Sequence, residues 1–251
     1  MIIRKLDREE NRLTKPLYEA VFSEDRGPFA DYYYEWAARD NTIYAACDEN
    51  GIHSMIHLNP YPVEWNGKIV MIPYIAAVAT QKDMRRRGLM RQIFELIFDD
   101  LKKQGVPFAF LMPVDENIYL PFGFKRGWNW QWEEDAVGAD RGDDSIILKY
   151  DDLTGKDSGY GDSLLKELSD NVNAALRQRY DLFTHRSVYY YRKLAAEQEA
   201  SGGQLRILLE GGRPKAAVQT SRDLYPPMMY KMTGEAAEEE KMRRTFICEV
   251  V

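Results

Sequence analysis

The chain has 251 residues, 45% of them hydrophobic, enough for one large domain or two modest ones with a buried core. Against 34 Lys and Arg stand 40 Asp and Glu, and the net charge of -6 argues against a general nucleic-acid binder, which presents a net basic face to phosphates. No apolar run approaches the roughly 18–20 residues that cross a bilayer and the start, MIIRKLDREE, has no signal-peptide core, so a cytoplasmic protein without membrane contact is expected.

MIIRKL reads as a short strand. From Glu9 to Phe22, Leu13, Leu17, Ala20 and Val21 recur at helical spacing, and a second helix is predicted from Phe29 to Arg39, after the Gly27-Pro28 break. Residues 41–80 change period: three extended runs, separated by Asp48-Glu49-Asn50-Gly51 and by Asn66-Gly67, read as an antiparallel meander, because Asn and Gly both accept positive φ. The strongest helix follows. Leu89, Met90, Ile93, Phe94, Ile97, Phe98 and Leu101 form one apolar stripe, Lys102 and Lys103 close it, and Gly105 and Pro107 stop it. FAFLMPV, 108–114, reads as a buried strand parallel to the one before the helix, so residues 68–114 form a β-α-β unit.

GFKRGWNWQWEEDAV, 123–137, reads as an alternating aromatic strand, and Gly- and Asp-rich stretches after it set a boundary near 150–162. The expected domains are 1–150 and a smaller one at 163–251, which holds an acidic helical run at 234–244 and ends in a strand. DYYYEWAA, 31–38, is echoed by VYYYRKLAA, 188–196, and each precedes two strand runs about a Gly turn. A duplicated unit is expected, with chance recurrence of a helix-hairpin as the alternative.

Ahead of the strongest helix stands DMRRRGLM. A helix N-terminus already carries partial positive charge, so Arg85, Arg86 and Arg87 cost roughly 0.3–1 kcal/mol apiece there when nothing offsets them. An anion offsets them: N–H groups at the helix start, the arginines, and Gly88, which lets the backbone come close, make a pyrophosphate-sized site. The alternative is that the arginines splay into solvent or pair with Asp83, Asp99 or Asp100. With no GxxxxGK[ST] and only one Rossmann glycine, both of those phosphate loops are excluded. Cys47 and Cys248 lack paired spacing and read as reduced thiols. His53 and His57 can share a strand face, but with His185 the sole other histidine no metal is expected.

R-x-x-G-x-M at Arg85–Met90, after VAT, resembles the R/Q-x-x-G-x-G/A signature of the GNAT superfamily of N-acetyltransferases, with Met90 in place of the last small residue. The element order resembles that family through about residue 136. ENIYLPFGF, 116–124, resembles the tyrosine segment of the enhanced intracellular survival (Eis-like) family, which has two tandem GNAT-type domains and a sterol-carrier-like domain. Here Leu120-Pro121 replaces the Gly-Arg that often follows the tyrosine, and the chain is shortened at its C-terminus.

The resemblance implies an α/β (α+β) GNAT fold with a mixed, mostly antiparallel central sheet, followed by a smaller second GNAT-like domain. It implies acetyl-CoA as co-substrate, its pantetheine held by main-chain groups of Val78 and Thr80 and its pyrophosphate by N–H groups around Arg85, Arg86, Arg87, Gly88, Leu89 and Met90. Tyr119 is implied as the catalytic acid that protonates the departing CoA thiolate. The family's base, a C-terminal carboxylate, transfers to Val251 or Glu249 only if the tail folds back. Asp25, Phe29, Tyr33 and Trp36 are expected on the acceptor side, where aromatic faces and carboxylates suit an ammonium, although core packing explains much of that cluster. The expected activity is direct acetyl transfer to a primary amine of a small molecule or peptide, in a ternary complex, with no metal, nucleic acid or membrane and with homo-oligomerisation open. The alternative is a non-catalytic acyl-CoA-binding or scaffolding protein.

Overall fold

Strand β1 (Ile2–Lys5) pairs antiparallel with β2 (Thr42–Asp48), and β2 leads into the long hairpin β3 (Gly51–Trp65) and β4 (Lys68–Thr80). Asn66 and Gly67 turn that hairpin with φ of 50° and 74°, as their pairing in the sequence requires. The structure, a computed structural model, describes residues 1–25, 27–126, 145–148, 158–219, 228–231 and 245–246.

Between β1 and β2 the two expected helices are each broken. A 3-10 segment at Arg8–Thr14 precedes α1 (Lys15–Val21), because Pro16 brings no N–H to the Arg12 carbonyl, which accepts from Lys15 instead. Helix α2 (Pro28–Tyr32) passes into a π-helical turn at Tyr33–Ala37, closed by the Ala38 N–H reaching back five residues to Tyr33 at 2.8 Å.

Helix α3 (Leu89–Lys103) forms as its stripe dictates. Leu89, Ile93, Phe94, Ile97, Phe98 and Leu101 are buried against Ile56, Leu58, Ile75 and Leu111, each worth about 1.5–3 kcal/mol as an upper bound. Strand β5 (Phe108–Leu111) returns parallel to β4, and two 3-10 turns, Glu116–Ile118 and Leu120–Phe122, lead to β6 (Lys125–Arg126). The remaining elements are β7 (Ser145–Leu148), α4 (Ser158–Arg179), β8 (Leu182–Thr184), α5 (Val188–Ala200), β9 (Leu205–Glu210), β10 (Arg213–Gln219), β11 (Met228–Lys231) and β12 (Thr245–Phe246).

The main sheet runs β1-β2-β3-β4-β5-β11-β6, with β8 joining the far end of β3 and β12 pairing β8. Among its described pairs only β4–β5 and β8–β12 are parallel, so the sheet is mixed and mostly antiparallel. A second sheet, β7-β9-β10, packs on α4 and α5 through Leu165, Leu168, Tyr191, Leu205 and Ile207. Strand partners cross the boundary expected near residue 150. Strand β7, before it, joins the smaller sheet, and β11, from the far end of the chain, enters the main sheet between β5 and β6. The helices that echo each other in sequence pack together: Tyr32 Oη donates to Glu197 at 3.1 Å, and Ala196 joins the Tyr32–Tyr34 cluster. Arg177 grips the buried Glu64 at 2.5 and 2.9 Å, tying α4 to β3. Of the aromatic strand expected at 123–137 only residues 123–126 are described. The helical run at 234–244, Cys248, Glu249 and Val251 lie outside the described residues.

Candidate active site

Among the described strands the main sheet is opened between β4 and β5. Strands β4 and β5 share a single register pair, Tyr74 with Phe110, and part beyond it. Opposite Ile56, β4 carries an extra residue, and Ala77 sits there at φ 48°, a left-handed conformation that costs an L-residue roughly 1–2 kcal/mol. The bulge resets the alternation. Before it, Ile72, Tyr74 and Ala76 share one face; after it, Ala79 does, while Val78 packs with α3 on the other. The Gln81 N–H donates to the His53 carbonyl on β3 at 2.9 Å, and the Ala79 carbonyl accepts from Ser54 Oγ at 3.0 Å. By alternation the main-chain groups of Val78 and Thr80 therefore aim away from β3, into the gap toward β5.

The arginine loop stands at the mouth of that gap. Arg85 Nε donates to the Thr80 carbonyl at 3.1 Å, and Arg87 to the main-chain carbonyl of Asp83 at 3.1 Å, so the arginines meet carbonyls rather than the carboxylates of Asp83, Asp99 or Asp100. Arg86 adopts φ 62° and Gly88 φ 76° as the N-cap of α3. No side chain caps this helix, so the first-turn N–H groups of Leu89, Met90 and Arg91 face outward without an intrahelical acceptor. All three arginines and Gly88 are exposed, whereas Leu89 is buried and Met90 half-buried against the α3 core.

Tyr119 packs against α3. Its ring meets Phe94 of α3 at 6.4 Å and Phe124 at 5.9 Å, both nearly edge-on, and burial pushes its phenol up to about 12, so it keeps its proton at neutral pH. Phe122, three residues on, packs on Phe94 at 4.7 Å with the rings tilted by 43°, and lies 5.1 Å beneath Arg91 of the first α3 turn. Gly123 needs φ 89°, and a Cβ there would stand 3.1 Å from the Tyr230 ring of β11, which itself stacks on Phe98 at 3.9 Å. A strand from the far end of the chain thus props the tyrosine segment, and nothing local in the sequence signalled it.

The residues expected on the acceptor side divide. Tyr33 is fully buried, stacked on Tyr18 and bonded to His57 Nδ1 at 2.9 Å, so it packs as core. Asp25 accepts from Tyr18 Oη at 2.9 Å, and desolvation raises its carboxyl above the usual range. Phe29 packs on Tyr32 at 5.6 Å. Trp36 does line a cavity of about 80 Å³ between β3 and α5, together with residues missed in the sequence: Asn59, Tyr61, Lys193 and Glu197. That cavity lies on the sheet face opposite α3, where Tyr61, Tyr74 and Phe110 pack at 5.0–5.9 Å. His53 hydrogen-bonds Asp48 and Gln81, each at 2.7 Å, and its pKa is raised chiefly by Asp48; buried His57 is pushed down to about 3 by desolvation. Among the described residues no three His, Cys, Asp or Glu side chains are placed to hold a metal ion, and no helix is long and apolar enough to cross a membrane.

A model of the acetyltransferase (GNAT) domain matches residues 2–127, half of the chain. No curated protein matches it at a significant level. Among solved structures, a probable N-acyltransferase from Enterococcus faecalis V583 is 14% identical with TM-score 0.63, over 98% of this chain and 64% of that one. Eis1 from Mycobacterium abscessus is 14% identical with TM-score 0.55, over 84% and 52%. A GCN5-related N-acetyltransferase from Anabaena variabilis is 13% identical with TM-score 0.54, over 96% and 61%. The chain spans less than two thirds of each, and at such identities the likeness is one of fold. The domain match falls on the strands and helices that build the opened β4–β5 pair and the arginine loop: this chain belongs to the GNAT acetyltransferase family.

Proposed function

We propose that the protein is an acetyl-CoA-dependent N-acetyltransferase that transfers acetyl directly to a primary amine of a small molecule or peptide in a ternary complex. The observation that carries this reading is the gap beyond the Tyr74–Phe110 pair, with main-chain groups of Val78 and Thr80 aimed into it and the uncapped start of α3 at its mouth. The pantetheine pairs with β4 as an added strand, and the pyrophosphate takes the N–H groups around Arg86–Met90, with arginine charge at its edge. The amine nitrogen attacks the thioester carbon. A C–N bond forms, the C–S bond breaks with its electron pair leaving on sulfur, nitrogen releases a proton to solvent, and the sulfur takes one from Tyr119. A phenol held up to about 12 is in the donating form throughout the neutral range. The unit of α4, α5, β7, β9 and β10 serves as the smaller second domain and walls the acceptor side.

Thermal denaturation with acetyl-CoA tests the cofactor site. Saturation at a hundred times Kd contributes about 2.7 kcal/mol, or about 5–11 °C for a chain of this size. No shift at millimolar cofactor overturns the reading. Thiol release with polyamines, aminoglycosides and lysine peptides then separates a transferase from a non-catalytic binder.

A further inference from the structure

His53 stands where β4 gives way to the arginine loop. Its main-chain carbonyl accepts from the Gln81 N–H at 2.9 Å, its Nδ1 meets Gln81 Oε1 at 2.7 Å, and its Nε2 meets Asp48 Oδ1 at 2.7 Å. Both ring nitrogens thus face oxygens. An ionised carboxylate and an amide oxygen only accept, so the form that satisfies both contacts is the imidazolium, which donates from each nitrogen. A neutral ring keeps one N–H. It then holds Asp48 through Nε2 only if Gln81 turns its amide over to donate to Nδ1, and the charge that strengthens both bonds is gone.

Gln81 is the root of the loop. Its carbonyl accepts from the Met84 N–H at 3.0 Å and starts the 3-10 turn Lys82–Met84, after which Arg85 Nε reaches back to the Thr80 carbonyl at 3.1 Å. Ser54 Oγ, 2.7 Å from Thr80 Oγ1, is a second side-chain tie between β3 and this end of β4. Past the root, Lys82, Asp83 and Arg85–Gly88 are exposed, and Met84 packs at the edge of the α3 core. Three adjacent arginines repel one another and Arg86 is held at φ 62°, a strain that the anchors at the root must oppose while the loop is empty.

The groups around the ring favour its charged form. The bond to Asp48 of β2 raises His53 most and the bond to Gln81 next, burial lowers it by less, and Asp83 of the 3-10 turn adds a smaller upward share. Asp48 itself is held below the usual carboxylate range by His53, by the Asn50 N–H and, more weakly, by the N-terminal ammonium; Glu49 beside it is exposed. Helix α1, packed on the same two strands, brings Lys15 and Glu19, 3.8 Å apart, with Lys15 also 2.5 Å from Asp31. Lys82 and Arg85 belong to the loop itself.

We propose that His53 is a positioning residue of the anion loop, and that its imidazolium holds Gln81 so that acetyl-CoA binds more tightly to the protonated than to the neutral form. The inference rests on the reading of the arginine loop as the pyrophosphate site. Charge-assisted hydrogen bonds are roughly twice as strong as neutral ones, so Kd should weaken about three- to tenfold as pH rises from about 6 to about 9, through the raised midpoint of His53. By reciprocity, bound acetyl-CoA raises that midpoint by about 0.5–1 pH unit.

The test is calorimetric titration of the full chain across that range with acetyl-CoA and with acetyl-dephospho-CoA, while the imidazole resonances are followed by NMR. The second ligand lacks the 3′-phosphate, whose own ionisation at about pH 6 enters the profile of the first. The parent is expected to lose affinity for both ligands with rising pH, and His53→Gln to lose that dependence. In Gln81→Met the imidazole still titrates but the affinity no longer follows it, and in Asp48→Asn the NMR and affinity midpoints move down together. Thermal denaturation checks that each variant folds, and the shift of the parent's His53 midpoint by ligand needs no variant. A parent whose Kd for acetyl-dephospho-CoA is level across the range, a profile unchanged in His53→Gln, or one that survives in Gln81→Met overturns the inference and leaves the cofactor site standing. No binding of either ligand at any pH overturns the cofactor site and the inference with it.

Discussion

Arg86 is the residue at which stability and binding separate most cleanly. It holds φ 62° in an exposed loop, a conformation that costs a residue with a side chain roughly 1–2 kcal/mol, while glycine there gives back about 0.5–1 kcal/mol through its freer unfolded chain. Arg86→Gly therefore stabilises the empty protein by about 0.5–1 kcal/mol, a rise in Tm of about 1–4 °C. The same change removes a cation from the edge of the proposed anion site. If the side chain meets the pyrophosphate, the loss is about 1.5–3 kcal/mol, a Kd for acetyl-CoA about ten- to a hundredfold weaker. Thermal denaturation of the free protein and titration with acetyl-CoA read the two effects separately. A variant less stable than the parent, or one that binds acetyl-CoA unchanged, refutes the view that the strained arginine is retained for its ligand.

Tyr119→Phe keeps the edge-on contacts with Phe94 and Phe124 and should lower kcat by about 10²–10⁴ with little change in the KM for acetyl-CoA; steady-state kinetics checks this. Because burial raises the Tyr119 phenol to about 12, its ionisation should not depress kcat below about pH 10, and a basic limb that disappears in Tyr119→Phe but is centred near pH 8 contradicts that assignment. Gly123→Ala strains φ 89° and pushes a Cβ to 3.1 Å from Tyr230, so Tm should fall by about 2–8 °C and activity with it, read by thermal denaturation and thiol release. His57, held down to about 3 by desolvation, stays neutral in the fold but titrates near 6.5 when unfolded. Its contribution is complete above pH 6.5 and is lost as pH falls toward 3, at most about 1.4 kcal/mol per pH unit. His53, raised by Asp48, has the opposite sign, so the difference between the parent and His57→Gln in urea at pH 7 and pH 5 isolates the effect.

The meander, α3 and β5 were legible because their signals are local: an Asn-Gly turn, a seven-residue apolar stripe, a run of buried side chains. The arginine loop was legible for the same reason, since charge stacked on a helix start is anomalous within six residues. The bulge at Ala77 was not, because alanine gives no hint that it will take φ 48°. The burial of Tyr33 was not legible, since an aromatic run does not say which ring faces the core. Strand β11 was invisible as a member of the first sheet, because its partners at 108–111 and 125–126 are more than a hundred residues away. The cavity between β3 and α5 shares that cause: Asn59 and Tyr61 come from one end of the chain and Lys193 and Glu197 from the other, and the packing of α5 on β3 brings them together.

The central claim is transfer of acetyl from a cofactor held between β4 and β5. The most direct measurement is to incubate the protein with acetyl-CoA and L-lysine and to quantify free CoA thiol and acetylated amine in the same samples. The expected result is one acetylated amine for each CoA released, with both falling together by about 10²–10⁴ in Tyr119→Phe. Acetyl-CoA that binds but stays intact across every amine tried, or thiol release without acetylated product, would contradict it.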